Sequence, residues 1–210
     1  MIKKWDLAIR LYHWVQAILV VLLLLSGFSG KGSTLIHIGA GLFLMTLLFW
    51  RISWGVIGSE TARFTHFLAG PQAIIKYLSS GKSEHVGHNP AGAIMVIVML
   101  ILLMFQTTSG LMTTDFIDGV FLVGIDKLNT LENLHKLNAI LLLVLIFIHI
   151  LAIIIYRSKG IFLVKAMISG YSSSNQKQPF LKSNLRAGLT LLLSQLVTIS
   201  LIITLYFLSY

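Results

Sequence analysis

Five long apolar runs, separated by shorter polar stretches, set the pattern of this chain. Each run is long enough to cross a bilayer as an α-helix, which takes about 20 residues. Because backbone N–H and C=O groups must be paired inside lipid, we expect each run to form a helix; the short alternating segments of a transmembrane barrel do not occur. The runs extend over Ala8 to Phe28, Leu35 to Ile57, Ala91 to Met112, Leu134 to Tyr156 and Arg186 to Leu208.

The stretches between these runs predict how the chain is organised. The connection after the second run includes Gly70 to Leu78, which has the pattern of a short amphipathic helix lying at the membrane interface. A second short interfacial helix is expected in the loop just before Leu134. A polar, low-complexity stretch follows the fourth run and is typical of a linker. We therefore predict a four-helix unit over residues 1–171, a polar linker over 172–185 and an additional transmembrane helix over 186–210.

The composition indicates an all-α integral membrane protein and excludes several kinds of cofactor site. Of the 210 residues, 56% are hydrophobic and 11% are charged, which is outside the usual range of a soluble domain. The chain has no cysteine. Disulfides, thiolate metal sites, iron–sulfur clusters and covalently attached haem are therefore excluded.

The formal charge of +9 is explained by where the basic residues lie. Lys and Arg are concentrated in the cytoplasmic connections of membrane proteins. Thirteen of the sixteen fall at the N-terminus or in the connections after the second and fourth runs, which all lie on one side; the exceptions are Lys31, Lys127 and Lys136. We therefore expect a multi-pass protein in contact with lipid, with a cytoplasmic N-terminus and its C-terminus on the other side. The charge does not call for a nucleic-acid partner.

The seven histidines fall into two groups by their place in this topology. His66, His85 and His88 belong to the cytoplasmic connection after the second run, where a solvated or interfacial loop histidine is the simplest interpretation. The other four lie inside predicted spans, where an ionisable side chain is rare and marks a functional site by default. These four are His13, His37, His135 and His149.

The four span histidines form two levels across the membrane. His13 and His149 lie near the cytoplasmic ends of the first and fourth runs, whereas His37 and His135 lie in the first turns of helices that begin outside. The fourteen residues between His135 and His149 correspond to about 21 Å, and to about 40° less than four full turns. Both imidazoles of the fourth run therefore project from one face, and each level has two histidines from different helices.

Two stacked pairs of imidazoles favour haem iron. Zinc normally has three or four protein ligands, and neither level has a carboxylate or a cysteine nearby. A haem porphyrin supplies four ligands itself, so two histidines complete the coordination of its iron. The alternative is that each histidine makes a hydrogen bond between helices, the commoner role of a single polar residue in a span. We predict two non-covalently bound haems, with the ligand pairs His13–His149 and His37–His135.

Glycines and arginines near the two levels are candidates for close packing against the macrocycle or for pairing with its propionates. Glycine lets a helix backbone approach a flat ring, and arginine can bind a carboxylate through two parallel hydrogen bonds. Glycine in a span also serves ordinary helix packing, and arginine near a span end also determines topology. The candidates are Arg10, Arg51, Gly27, Gly41, Gly92 and Gly110.

Five stretches, in order over residues 5 to about 170, carry a family resemblance: "WDLAIRLYHW", "LIHIGAGLFLMTLLFWRISWGVIGSETARFTHFLAGP", "GHNPAGAIMV", "LHKLNAILLLVLIFIH" and "VKAMISG". They resemble the bacterial cytochrome b561 family, which includes the b-type cytochrome subunits of nickel–iron hydrogenases. The resemblance implies a four-helix transmembrane bundle that holds two b haems in the bacterial inner membrane. With the orientation expected from the basic residues, the C-terminus lies in the periplasm. The resemblance also implies that His13 and His149 ligate a cytoplasmic haem, and that His37 and His135 ligate a periplasmic haem. The fifth helix departs from the smallest members of the family, which lack it.

The resemblance further implies a function in a respiratory electron transport chain. We expect a transmembrane cytochrome that passes electrons between the quinone pool and a periplasmic or membrane-bound redox protein, as a carrier or as a subunit of a quinone-linked oxidoreductase. The alternative is a stand-alone oxidoreductase that acts on a small species such as superoxide or ferric iron, with quinone as co-substrate. A haem-free transporter or scaffold is the third interpretation. Lys76, His85 and His88 are candidates for a quinone site on the cytoplasmic side.

Overall fold

Five long helices form the body of the structure, a computed structural model that describes residues 1–31, 34–68, 70, 72, 75, 89–114, 124–172 and 178–209. In chain order the helices are α1 (Leu7–Phe28), α2 (Leu35–Ile57), α3 (Phe64–Phe67), α4 (Pro90–Met112), α5 (Ile125–Ser158), α6 (Leu163–Ser169) and α7 (Asn184–Ser209). Each of α1, α2, α4, α5 and α7 is long and apolar enough to cross a membrane. The prediction of an all-α chain with five spans is confirmed.

The start of α5 differs from the prediction. The helix begins at Ile125 and runs unbroken to Ser158, so it starts nine residues before the predicted start at Leu134. Most of the loop in which a separate interfacial helix is expected lies outside the described residues. The first turns are polar but contain neither proline nor glycine, and an ion pair of 2.6 Å between Glu132 and Lys136, one turn apart, stabilises them. The other predicted interfacial helix, Gly70 to Leu78, falls largely outside the described residues, as do Lys76, His85 and His88.

Polar side chains begin three of the long helices. The Oδ1 atom of Asp6 accepts the N–H of Ile9 at 2.7 Å and so caps α1. Its Oδ2 atom accepts the indole N–H of Trp54 at 3.2 Å, which joins the start of α1 to the last turn of α2. Thr34 and Asn89 cap α2 and α4 in the same way.

The end of the bundle at which α1 begins, called the inner end below, is closed by short connections. A two-stranded antiparallel sheet pairs β1 (Ile2–Lys3) with β2 (Tyr171–Ser172). Gly170, in the left-handed conformation at φ 84°, ends α6, and its carbonyl accepts the N–H groups of Lys4 and Trp5. The hydroxyl of Thr61 donates to the carbonyl of Lys4 at 2.8 Å. The segments before α1, after α2 and after α6 are thus held together.

Helix α2 lies at the centre of the packing. It packs against α1, α4 and α7, while α5 packs along α4. The middle of the bundle is a cluster of aliphatic side chains around Leu44 and Leu48, which are 1% and 0% exposed. Neither α1 nor α2 packs closely along α5.

Helix α7 packs on α2 through a stripe of small polar residues. Thr190, Ser194 and Thr198 are buried and four residues apart, a spacing that lets two helices approach closely in lipid. The hydroxyl of Thr46 on α2 donates to that of Thr198 at 3.2 Å, and the indole of Trp50 donates to the carbonyl of Ala187 at 3.0 Å. The fifth helix therefore has an interface within the bundle; the division of the chain at residues 171 and 186 stays a prediction.

Candidate functional site

Each of the two histidines on α5 lies close enough to a histidine of another helix to interact with it electrostatically; that these histidines ligate haem in pairs stays a prediction. The imidazole of His149 on α5 lies within electrostatic range of that of His13 on α1. His135, near the other end of the same helix, has the same relation to His37 on α2. All four side chains are half-buried. Because α5 is unbroken between them, the two pairs are separated by about 21 Å along its axis.

Each pair connects helices that are not closely packed on each other. Helices in direct contact have axes about 8–10 Å apart. The partners in the pairs are α1 with α5 and α2 with α5, and these are the helices that do not pack closely. A macrocycle ligated from both faces requires such a separation between the two ligand helices.

Each histidine at the outer end, opposite the inner end, has a serine at its Nδ1 atom. The Oγ atom of Ser26 on α1 lies 2.8 Å from Nδ1 of His37. The Oγ atom of Ser109 on α4 lies 3.0 Å from Nδ1 of His135. In both cases the serine belongs to a helix other than the histidine's own, so the hydrogen bond orients the imidazole between helices.

The Nε2 atom of His135 also has a partner. It lies 3.0 Å from the amide nitrogen of Gln106 on α4. The amide oxygen of Gln106 accepts a hydrogen bond of 2.5 Å from Asn138, which also donates to the carbonyl of Leu102 at 3.0 Å. A network of this kind agrees with the interpretation that His135 joins helices by hydrogen bonds.

The inner pair has a different environment. Among the described residues, the Nδ1 atom of His13 is buried without a hydrogen-bond partner. An unpaired buried polar nitrogen costs about 1–3 kcal/mol, which natural proteins rarely leave uncompensated without a functional reason. His13 therefore differs from the two outer histidines, whose Nδ1 atoms each face a serine.

Two of the four candidate glycines lie directly beside the outer histidines. A Cβ atom at Gly27 would lie 3.5 Å from Cε1 of His37, and one at Gly110 would lie 2.8 Å from Cε1 of His135. Gly92 lies instead against Asn89, whose side chain caps α4, and a Cβ atom at Gly41 would meet nothing within 4 Å. The structure thus places Gly27 and Gly110 beside the histidines of the outer level.

Both candidate arginines make contacts with the inner connections. Arg51 is 3% exposed; it donates to the carbonyl of Ala62 at 3.2 Å, and its guanidinium lies 5.0 Å from the ring centroid of Phe64. Arg10 donates to the carbonyl of Ile168 at the end of α6, and its Nε atom is buried without a partner among the described residues. These contacts explain why both arginines are held at the inner end; their predicted pairing with propionates stays a prediction.

His66, expected to be a loop histidine, faces a carboxylate. Its Nε2 atom lies 3.2 Å from Oε1 of Glu60. The backbone N–H of Phe180 donates to the other carboxylate oxygen at 2.7 Å and, with His66 and Arg63 contributing less, holds the pKa of Glu60 below its usual value. The hydrogen bond from Phe180 connects the segment before α7 to the turn after α2.

Comparison with known proteins identifies the kind of protein to which these histidines belong. The family model of prokaryotic cytochrome b561 matches residues 4–170. The chain belongs to the prokaryotic cytochrome b561 family. The matched region contains α1, α2, α4 and α5 with all four span histidines, and α7 lies outside it. No curated protein and no solved structure matches the chain.

Membership in this family implies a transmembrane b-type cytochrome that binds haem and takes part in electron transfer. The histidines of this cytochrome b561 fit haem better than a metal ion held by protein alone. In the described part of the chain, no group of three or more His, Asp or Glu side chains could hold a metal ion. Two imidazoles at each level are sufficient for haem iron because the porphyrin supplies the remaining ligands.

Sequence reasoning missed the polar residues around the outer histidines of this cytochrome b561. Gln106 and Ser109 belong to the stretch "QTTS", which interrupts an otherwise apolar run, and Asn138 lies three residues after His135 on the same helix face. Polar residues in a span generally face other helices. The stretch "QTTS" therefore indicates a face of α4 that contacts another helix. That this face contacts His135 could be found only from the packing of α4 on α5.

Proposed function

We propose that this cytochrome b561 carries electrons across the membrane through two bis-histidine haems, between the quinone pool and a redox partner. The observation that supports this most is the arrangement of four histidines as two pairs at two depths of one continuous helix. Each pair takes one histidine from α5 and one from α1 or α2. Family membership supplies the cofactor type, and the two depths supply a route across the apolar layer.

Two histidines would hold the iron of each haem, one from either side, so that no coordination position stays open. Haem bound in this way gains and loses single electrons and does not bind oxygen. The residues of α5 between the pairs are almost wholly apolar, from Ala139 to Ile148. They exclude water and ions from the layer between the two levels, so the electron is the only charge expected to pass there.

The proposed orientation places the inner end in the cytoplasm of a bacterial cell, with the C-terminus in the periplasm. It is supported by the thirteen basic residues that the topology places on the inner side, against three on the outer side. We propose quinone as the membrane-soluble partner and a periplasmic or membrane-bound redox protein as the other. The family and the two depths of the histidines support both proposals.

Electron transfer across a sealed bilayer tests this function. The purified full chain is placed in liposomes that contain ferricyanide, quinol is added outside, and ferricyanide bleaching is followed by absorbance. We expect bleaching with the wild type, less with His149→Ala, and the wild-type rate with the control Ser194→Ala, whose hydroxyl faces Thr190. Protein with two haems that fails to bleach trapped ferricyanide would contradict the proposal. Quinone reduction driven by superoxide would instead support the stand-alone oxidoreductase.

A further inference from the structure

The hydrogen bonds of Ser26 indicate which nitrogen of His37 carries a proton. A serine hydroxyl has one proton to donate and two lone pairs. Oγ of Ser26 lies 2.7 Å from the carbonyl oxygen of Leu22, one turn earlier on α1, and donates its proton there. The same oxygen therefore accepts at its 2.8 Å contact with Nδ1 of His37. Nδ1 of His37 carries the proton, and the lone pair of His37 is on Nε2.

A separate set of hydrogen bonds leads to the same tautomer at His135. The carbonyl oxygen of Leu102 can only accept, so the Asn138 atom facing it at 3.0 Å is the amide nitrogen. That nitrogen also donates to the amide oxygen of Gln106, so the amide nitrogen of Gln106 faces Nε2 of His135. Nε2 of His135 is therefore the acceptor. Its Nδ1 carries the proton and donates it to Oγ of Ser109 at 3.0 Å.

Each of the two outer histidines thus contacts a Ser-Gly dipeptide on a neighbouring helix. Each serine is followed by the glycine that lies against the same imidazole, in Ser26–Gly27 and in Ser109–Gly110. The serine holds Nδ1–H, and the glycine leaves space for the ring. In the described part of the chain His13 has no such partner, since its buried Nδ1 atom is unpaired. The Ser-Gly contact is therefore found at both outer histidines and not at His13.

We propose that Ser26 and Ser109 are positioning residues that hold His37 and His135 as Nδ1–H tautomers, so that Nε2 of each keeps the lone pair that would ligate the iron of the outer haem; at His135 the iron would replace the amide of Gln106. The inference rests on the proposed function for the identity of the metal, and on the hydrogen bonds alone for the tautomer. A hydrogen bond from the distal nitrogen raises the basicity of a ligating imidazole. Ser26 and Ser109 therefore favour the ferric state of the outer haem and lower its reduction potential.

The tautomers can be measured without haem. Full-length protein from haem-deficient cells, labelled with nitrogen-15 at histidine and placed in bilayers, gives separate solid-state NMR signals for protonated and unprotonated ring nitrogens. His37→Gln and His135→Gln assign the signals. We expect Nδ1 protonated and Nε2 unprotonated in both residues. An Nε2-protonated tautomer at either residue would overturn the proposal, and this result does not depend on whether the proposed function holds.

The haem-loaded protein supplies the second test, by redox titration and electron paramagnetic resonance. Ser26→Ala and Ser109→Ala should each raise the reduced-to-oxidised ratio of one haem, at a fixed potential, by about two- to tenfold, the value of one net hydrogen bond. Ser26→Thr and Ser109→Thr keep a hydroxyl and should restore the wild-type ratio. Ser194→Ala, which removes a buried serine away from the histidines, should change neither haem.

Three outcomes separate the proposal from a merely structural role of the serines. Loss of one haem in an alanine variant, with retention in the threonine variant, would support it, because the hydroxyl then orients the ligand. Equal shifts in the alanine and threonine variants would overturn it. Two haems with wild-type potentials in both alanine variants would overturn it as well, while leaving the proposed electron transfer intact.

Discussion

Gly110 offers the sharpest structural test of the outer site, because a single methyl group there meets the ring of a proposed ligand. A Cβ atom at this position would lie 2.8 Å from Cε1 of His135. Carbon atoms in favourable contact are about 3.5–4.0 Å apart. The imidazole would therefore have to move by roughly 0.7 Å or more, whereas a ligand constellation tolerates only about 0.5 Å. We predict that Gly110→Ala removes the outer haem or weakens its binding.

The size of the effect follows from overpacking. Forcing an extra methyl group into a filled site costs about 1–3 kcal/mol, which corresponds to about 5- to 150-fold in haem affinity. Helix α4 itself should not be weakened, since alanine is about 1 kcal/mol better than glycine within a helix. The loss should therefore appear in haem content and not in helix content.

The assay is haem stoichiometry by the pyridine haemochrome method on purified protein, with circular dichroism as the check on folding. Gly188→Ala is the control for a transmembrane glycine, because a Cβ atom there meets nothing within 4 Å. Gly27→Ala is the matched comparison, since its Cβ atom would lie at an ordinary 3.5 Å from His37. Two haems with unchanged spectra in Gly110→Ala would refute the assignment of Gly110 as the residue that makes room for His135.

Three further predictions concern other parts of the chain. Gln106→Leu should retain the outer haem, because bound iron would replace the contact between the Gln106 amide and Nε2 of His135. Loss of that haem, as expected for His135→Ala, would instead favour a hydrogen-bonding role for His135. Glu60 has a lowered pKa because it accepts the N–H of Phe180, so its contribution to stability is full above its ordinary pKa and is lost as the pH falls through the lowered value. Protection of the Phe180 amide from hydrogen exchange should therefore fall at acidic pH in the wild type and lose that dependence in Glu60→Gln. Ser194→Leu should separate α7 from α2, which increased protease cleavage between residues 172 and 185 would report, while both haems stay bound; loss of haem would contradict the predicted division of the chain.

The long helices could be predicted because each apolar run exceeds the thickness of a bilayer, and lipid leaves the backbone no alternative to a helix. The start of α5 could not, because hydropathy marks where a helix enters lipid and not where it begins. Residues 125–133 are too polar to be predicted as part of a span. They contain no proline or glycine that would end a helix, so α5 begins at Ile125 and not at Leu134. Hydropathy therefore predicted the span and missed its polar extension.

The candidate site shows a similar limit. The pairing of His13 with His149 and of His37 with His135 follows from depth along a helix, which residue number determines. The contacts of Ser26, Ser109 and Gln106 depend in addition on how each helix is rotated toward its neighbours. That rotation is set by packing of several helices at once, and the pattern of a single run does not specify it. The small polar residues of α7 can be recognised in the sequence by their four-residue spacing. The sequence does not show that they pack against α2.

The most direct test of the account is the haem content of the four single variants His13→Ala, His37→Ala, His135→Ala and His149→Ala. Each should keep one of two haems, and spectra should divide the variants into two sets: His13 and His149 lose the same haem, and His37 and His135 lose the other. A variant outside the spans, His66→Ala in α3, should keep both. Any other grouping, such as His13 with His37, would contradict the arrangement of two haems stacked along α5, as would wild-type protein that binds a single haem.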